Sequence, residues 1–386
     1  MKITINKKGL YKALKLAGNV TTGTMPLPCL ESALITADSG KVALRVTNLE
    51  NDLSQRLDKI CTIYEDGIIL VDMKRILALL GLISDEELTM ETKTIERIID
   101  KGEKNEKTVY IDIVEISADG GTYELANDYE DDTSYPSLKN TEVIVNKLFL
   151  SLPQLQSGLK KCYKSSDDIA RPAMTGVFMD FKNDMLISTD AHTLCGVEYI
   201  FGIESEEAKS KILPMSIIKL IHCFDGDDIT MEFDEHNQVR ILVDGAVLVG
   251  MLIDAKYPNW KAVVPVNQDR EFVFNKKELE VAIKKGDLFA NGSTHRVAIK
   301  ISGGVAEVSA KDLDLGIEAI NSLPVKIAKG VDDDIIFGVN AKFILAALKN
   351  LDGDEVNLSM TNEERAMVLT GDDSEYFVLL MPIILG

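Results

Sequence analysis

The sequence predicts an α+β chain of three similar domains. Three observations carry that prediction: a threefold recurrence of local blocks, apolar stripes at helical period between runs at strand period, and a length that accommodates three cores. The first recurrent block is a turn, an alternating strand and a polar doublet. It runs Ser39-Gly40-Lys41-Val42-Ala43-Leu44-Arg45-Val46-Thr47-Asn48, then Asn183-Asp184-Met185-Leu186-Ile187-Ser188-Thr189-Asp190, then Gly303-Gly304-Val305-Ala306-Glu307-Val308-Ser309-Ala310-Lys311-Asp312. The second block opens a short helix at Val71-Asp72-Met73-Lys74, Leu213-Pro214-Met215-Ser216 and Val339-Asn340-Ala341-Lys342. The third is an ending, Tyr135-Pro136, Tyr257-Pro258 and Met381-Pro382. The doublets stand 142 and 122 residues apart and the prolines 122 and 124, so the copies keep register apart from an insertion in the first. The expected domains are 1–140, 141–267 and 268–386, and 386 residues with 46% hydrophobic content can supply a core for each.

Taken in order, Met1-Lys2-Ile3-Thr4-Ile5 reads as a strand rather than a signal peptide. Helices are predicted over 7–16, 72–80, 152–164, 214–222, 275–286 and 340–350. Each carries one apolar stripe at i, i+3, i+4 and i+7: Leu10, Ala13, Leu14 and Ala17; Met73, Ile76, Leu77 and Leu80; Ile344, Ala347, Leu348 and Leu351. The first domain holds about 19 residues more than the second within Glu91–Glu115. Their charged, alternating text predicts an extended surface hairpin, and a tolerated loop insertion without function is its plainest meaning.

Net charge is −20, which taken whole argues against a nucleic-acid partner. Its distribution reverses the inference. The six predicted helices hold 16 Lys and Arg against the acids Asp72, Glu278 and Glu280, a local charge of +13, and the rest of the chain carries −33. On any one helix such lysines would merely solvate an exposed face. Repeated over six helices of an acidic chain, they predict a basic wall facing something anionic.

Chemistry is sparse by comparison. His192, His222, His236 and His295 are scattered, and Asp190 reads as a turn residue that satisfies nearby N–H groups, as Asn48 and Asp312 would. No phosphate-binding glycine loop and no metal-ligand spacing occurs, so neither cofactor nor metal is expected. Cys29, Cys61, Cys162, Cys195 and Cys223 read as small buried hydrophobes. No stretch reaches a membrane span, and a cytoplasmic protein is expected.

Six blocks stand out in order: the start Met1-Lys2-Ile3-Thr4-Ile5 leading to Leu27-Pro28, then Leu152-Pro153-Gln154, Thr175-Gly176-Val177-Phe178, Thr189-Asp190-Ala191-His192-Thr193-Leu194, Tyr257-Pro258-Asn259-Trp260 and Met381-Pro382. Together they resemble the bacterial sliding-clamp family, the β subunit of DNA polymerase III. The resemblance runs nearly end to end. It implies a head-to-tail homodimeric ring with sheets outside and two helices per domain inside, encircling double-stranded DNA without reading its sequence. The pore-facing set would be Lys8, Lys12, Lys15, Lys74, Arg75, Lys160, Lys161, Lys164, Arg171, Lys219, Lys277, Lys284 and Lys342.

The resemblance also implies a groove for short linear peptides from the replicative polymerase, clamp loader and repair proteins. Its matching positions are Met174, Thr189, Ala191, His192, Thr193, Leu194, Pro258, Val263, Asn340, Phe343, Leu379, Met381, Pro382 and Ile383. Thr193 replaces the family's arginine and Ala191 its glycine, and the Ile384-Leu385-Gly386 ending lacks a penultimate arginine, which implies a more apolar groove. Thr24 stands where the family often has arginine, so contact with DNA there would be weaker. Tyr123 and Leu125 would face Leu288 and Phe289 across the subunit joint, although all four could equally be core residues. Two rival readings are a scaffold of the same fold that binds only proteins, and a hydrolase with a site between domains; the missing nucleophile and base disfavour the second.

Overall fold

The computed structural model describes residues 1–23, 25–99, 107–127, 135–138, 143–203, 208–330, 334–373 and 375–385. In chain order the first repeat holds β1 (Lys2–Asn6), α1 (Lys7–Ala17), β2 (Ser32–Asp38), β3 (Lys41–Thr47), β4 (Asn51–Arg56), β5 (Cys61–Glu65), β6 (Gly67–Asp72), α2 (Met73–Leu80), β7 (Glu87–Ile99), β8 (Lys107–Ala118) and β9 (Gly121–Ala126). The second holds β10 (Ile144–Ser151), α3 (Leu152–Lys161), β11 (Gly176–Asp180), β12 (Met185–Thr189), β13 (Thr193–Glu198), β14 (Lys211–Pro214), α4 (Met215–Ile221), β15 (Asp228–Asp234), β16 (Gln238–Val243) and β17 (Ala246–Met251). The third holds β18 (Arg270–Asn275), α5 (Lys276–Asp287), β19 (Arg296–Ser302), β20 (Val305–Asp312), β21 (Ile317–Pro324), β22 (Lys326–Lys329), β23 (Ile335–Asn340), α6 (Ala341–Asn350), β24 (Glu355–Met360), β25 (Met367–Thr370) and β26 (Tyr376–Leu380).

Local chemistry explains where the helices start. Asn6, Asp72, Asn275 and Asn340 each hold an extended or near-extended backbone and accept a hydrogen bond from an N–H of the first turn, at Gly9, Arg75, Glu278 and Phe343 respectively. The stripes face inward as expected: Leu10, Ala13, Leu14 and Ala17 are buried, as are Ile344, Ala347, Leu348 and Leu351. Leu77 is only half-buried. Helix α3 stops at Lys161, short of the expected 164, and the chain beyond it is irregular. The Asx turns recur in all three repeats. Asn48 Oδ1 accepts from the N–H groups of Glu50 (3.0 Å) and Asn51 (2.7 Å), Asp190 Oδ1 from His192 (3.0 Å) and Thr193 (2.7 Å), and Asp312 Oδ1 from Asp314 (2.9 Å) and Leu315 (3.3 Å).

The chain divides into two compact units, Met1–Pro153 with Ser216–Leu252, and Gln154–Met215 with Ile253–Gly386. The sheets explain this division, since they run across repeat boundaries. In the first unit an eight-stranded antiparallel sheet has the order β10-β15-β16-β17-β4-β3-β2-β6, beside a five-stranded sheet β5-β1-β7-β8-β9. The second unit has a nine-stranded sheet β14-β11-β12-β13-β26-β25-β24-β18-β22 and a four-stranded sheet β21-β20-β19-β23. Thus β4 of the first repeat pairs with β17 of the second, with Leu53 opposite Leu248. Likewise β13 pairs with β26, with Cys195 opposite Val378. All four of these side chains are 0% exposed, so each joint is a continuous stretch of core.

The insertion in the first repeat forms a hairpin. Strands β7 and β8 stay paired from Thr89–Ser117 out to Ile99–Lys107, whereas β1 accompanies β7 only as far as Glu91 and β9 accompanies β8 only from Ile113. The outer part is therefore a two-stranded arm.

Candidate functional site

In the second unit, the turn after β12 and the end of β26 come together. Ala191 takes a left-handed conformation (φ 74°) and Met381 N–H donates to the His192 carbonyl (3.0 Å). Ile383 N–H donates to the Gly338 carbonyl (2.9 Å), which holds the chain end against β23 just before α6. The His192 and Phe343 rings stack with centroids 5.8 Å apart. Asn340, besides capping α6, donates from Nδ2 to the Thr294 carbonyl (3.0 Å), which fixes the turn that presents Phe343. Ala191, His192, Pro258, Val263 and Met381 are exposed, and Asn340, Phe343, Pro382 and Ile383 are half-buried. The seven around the His192–Phe343 stack and the Met381–Ile383 ending form an accessible, mostly apolar surface; Pro258 and Val263 belong to the segment whose Tyr257 and Val264 join the core cluster with Leu194 and Leu379.

The other five predicted groove positions lie beneath it. Met174, Thr189, Thr193, Leu194 and Leu379 are buried, so they shape the floor from behind rather than line it with free side chains. The cause is strand pairing: Thr193 faces Leu380 and Leu194 faces Leu379 across β13 and β26. Leu194 and Leu379 share a core cluster with Ala173, Ile187 and Tyr257, against which Trp260 and Val264 pack. Deeper still, burial pushes the Cys195 thiol up to about 12 and the Cys162 thiol well above its ordinary value, so neither is a reactive thiolate. The cysteine expectation fails at Cys223, which is exposed, and Cys29 and Cys61 are half-buried.

Two lysines assigned to the DNA-facing set are engaged elsewhere. Lys161 sits between Asp352 (3.2 Å) and Asp373. Burial opposes its charge, but hydrogen bonds to the two carboxylates outweigh that and raise its pKa; Lys161 in turn holds Asp373 below the usual carboxylate range. Lys164, beyond the end of α3, pairs with Asp190 (3.0 Å) and lies 4.6 Å from the Phe343 ring centroid. It therefore borders the surface around His192 and Phe343.

Among the other basic residues, Lys8, Lys15, Lys74, Lys160, Lys219 and Lys342 are exposed and make no ion pair among the described residues. Lys12 pairs with Asp225 (3.0 Å), Arg75 with its helix cap Asp72 (2.7 Å), Arg171 with Asp168 (3.4 Å), Lys277 with Asp354 (3.3 Å) and Lys284 with Glu280. These are exposed pairs that screening renders weak, and a phosphate can compete for them. Thr24 lies outside the described residues.

Strands β9 and β21 end their sheets, and neither has a partner on its outer edge among the described residues. Tyr123 and Leu125 lie on β9, and Leu288 and Phe289 follow α5. Tyr123, Leu288 and Phe289 are exposed, by 36%, 78% and 37%, which is unlike core. Sequence reasoning missed Leu82 and Ile320, also exposed, and the largely exposed Leu313 and Leu315 in the turn between β20 and β21. Only their exposure singles these residues out, since leucine and isoleucine in sequence read as core.

A family model described as the C-terminal domain of the DNA polymerase III beta subunit matches residues 261–383. The beta sliding clamp of Chlamydia pneumoniae is 22% identical over 387 residues, spanning 98% of each chain. That of Vibrio cholerae is 20% identical over 389 residues, 99% of this chain and 100% of the relative. Among solved structures, the DNA polymerase III subunit beta of Pseudomonas aeruginosa superposes with a TM-score of 0.85 at 18% identity, and that of Thermotoga maritima with 0.83 at 20%, each covering 100% of both chains. A Bartonella birtlesii sliding clamp bound to griselimycin matches with 0.84 at 19% identity, again over 100% of both chains. The chain has the fold of these clamps over its whole length, and the resemblance read from the sequence holds.

Proposed function

We propose that this chain is a non-catalytic, cytoplasmic DNA sliding clamp: two copies, each of three domains (1–140, 141–267 and 268–386), close head to tail around duplex DNA and tether a replicative polymerase and other DNA enzymes through the surface around His192 and Met381. The observation that carries this reading is a pair of joints in one register and a third left open. The strand series β1-β7-β8-β9, β10-β15-β16-β17 and β18-β24-β25-β26 are equivalent, as are β6-β2-β3-β4, β14-β11-β12-β13 and β23-β19-β20-β21. Joining β4 to β17 and β13 to β26 leaves β9 and β21. Leu248 and Val378 correspond to Tyr123, and Leu53 and Cys195 to Ala319, when pairings are counted outward from the capped helices and Asx turns. In the same register Tyr123 faces the partner's Ala319. A single such joint would leave two edges open, and a twofold pair of them closes the assembly.

The exposed lysines on the helices then supply weak, sequence-neutral attraction to phosphate. Enclosure rather than tight contact gives processivity. The peptide surface suits a short segment with apolar anchors, with Lys164 and Asn340 at its rim. The decisive experiment loads the protein onto nicked circular plasmid with a clamp loader and ATP, followed by gel filtration at high salt. Retention on circles and release on linearising supports the clamp. Intact peptide binding with no retention on circles leaves a protein-only scaffold, the reading that the overall charge of −20 favours.

A further inference from the structure

A cleft of 740 Å³ lies beside the closed β4–β17 joint. One wall is the 9–16 stretch of α1 with the 55–58 stretch at the end of β4; the other is the turn at 223–225 with the 243–246 turn between β16 and β17. Lys12 on the first wall pairs with Asp225 on the second (3.0 Å). The β13–β26 joint has an aspartate at the same position, Asp352, and sets it against Lys161 (3.2 Å).

Each wall recurs, unpartnered, at one of the two open edges. The N–H groups of Lys7, Leu152 and Lys276 donate to the carbonyls of Glu86, Asp227 and Asp354, each at 2.8 Å, which sets the three repeats in register. Counted from those bonds, positions 9, 12, 13 and 16 of α1 become Glu278, Val281, Ala282 and Lys285 of α5. Counted along the strand pairs, positions 55–58 become Asn321–Pro324. These eight residues, with Lys277, line a cleft of 390 Å³ between α5 and β21. On the β9 side, Cys223-Phe224-Asp225 become Leu82-Ile83-Ser84. The 243–246 turn becomes 118–121, where Asp119 and Gly120 (φ 52° and 70°) repeat the left-handed backbone of Asp244 and Gly245 (φ 40° and 80°). Pairing β9 with the partner's β21 in the register that puts Ala246 opposite Gln55 brings these two walls together. The chemistry of the seam then changes. Val281 stands for Lys12, Ser84 for Asp225, Leu82 for Cys223 and Leu288 for Asn19. An ion pair gives way to three apolar side chains, Val281, Leu82 and Leu288, that are 49%, 84% and 78% exposed in the single chain.

We propose that Leu82 of one copy of this chain seats in the α5–β21 cleft of a second copy, against the partner's Val281 and the partner's Leu288, so that the ring joint is sealed by an apolar contact where the joints within the chain carry an ion pair. This inference rests on the clamp reading. It explains why three exposed apolar side chains occupy positions that are polar at the closed β4–β17 joint. An exposed ion pair such as Lys12–Asp225 contributes little, and within one chain the continuous sheet already holds the joint. Two separate copies have no such covalent help, and apolar surface taken out of water supplies the driving force.

The test is sedimentation equilibrium on the full chain, comparing wild type with Leu82→Ser, with Val281→Ser, with both changes together and with Leu82→Met. Wild type should dimerise, and Leu82→Met, which keeps an apolar side chain of similar volume, should stay within about threefold of it. Each serine variant should raise the dimer dissociation constant about tenfold or more. The double variant should be little worse than Leu82→Ser alone, because the two side chains meet across the joint. Both are exposed in the single chain, so thermal melts of dilute protein should not move. Normal dimerisation of either serine variant, or strictly multiplicative effects in the double, overturns the seat and leaves the clamp reading standing. A wild type that stays monomeric at every concentration overturns the clamp reading, and the seat with it.

Discussion

Replacing Leu288 by alanine should open the ring without unfolding the chain. Leu288 follows α5 and is 78% exposed, so the single chain gains little stability from it. Its neighbour Phe289 corresponds, counting from the caps Asn275 and Asn6, to Val20, which is 1% exposed beside the closed β4–β17 joint. Burying a leucine is worth roughly 1.5–3 kcal/mol, and alanine forfeits most of that, about 2 kcal/mol per joint. Two joints make about 4 kcal/mol, or roughly a thousandfold in the dimer dissociation constant at about 1.4 kcal/mol per decade. Sedimentation equilibrium across nanomolar to micromolar protein reads this shift directly, and a melt at low concentration checks the monomer. A dissociation constant within about threefold of wild type would refute the placement of Leu288 in the joint. A collapse of the monomer melt would refute its description as an interface residue.

Further outcomes follow from the ion pairs, caps and lysines. Lys161→Met should lower the melting temperature at neutral pH. Asp373 has a depressed folded pKa, so its contribution is present above its unfolded pKa of about 4 and lost as pH falls through the folded value; Lys161 has a raised one, so its contribution persists up to about pH 10. The gap between wild type and variant should therefore be flat between those limits and close in stronger acid, and a constant gap down to about pH 2 would contradict the pairing. Asn340→Ala removes the α6 cap and should cost about 1 kcal/mol by urea denaturation, together with weaker binding of clamp-binding peptides because Phe343 loses its anchor. Met381→Ala and His192→Ala should weaken that binding in a fluorescence-anisotropy assay and leave dimerisation unchanged. Changing Lys8, Lys15, Lys74 and Lys342 to glutamine should reduce the salt slope of DNA affinity by about 0.9 for each phosphate that is no longer neutralised.

The helices were legible because they repeat one message at short range: a stripe at helical period with lysines off the stripe, opened in α1, α2, α5 and α6 by an Asn or Asp cap. The end of α3 was not. Nothing in Cys162-Tyr163-Lys164 breaks a helix, and the chain turns away because Lys164 finds Asp190 and Phe343, partners 26 and 179 residues away. Lys161 misled for the same reason, since its carboxylates come from Asp352 and Asp373. The turn at Ala191 and the ending at Met381 stood out as members of recurrent blocks, but the burial of Thr193 and Leu379 depends on β13 meeting β26, a long-range pairing that no local pattern encodes. The open edges of β9 and β21 were equally invisible. They emerge only when their equivalents, β17 and β26 for β9 and β4 and β13 for β21, are seen to be joined.

The most direct measurement of ring closure uses one cysteine at each side of the open joint. A Tyr123→Cys/Ala319→Cys chain, with Cys223→Ser to remove the exposed native thiol, would be loaded onto nicked circular plasmid and treated with a short bismaleimide. Crosslinked protein should remain on the circle through detergent and high salt, and come free when the plasmid is cut. Efficient crosslinking that leaves no protein on the circle, or no crosslinking in a dimer that forms normally, would contradict the account.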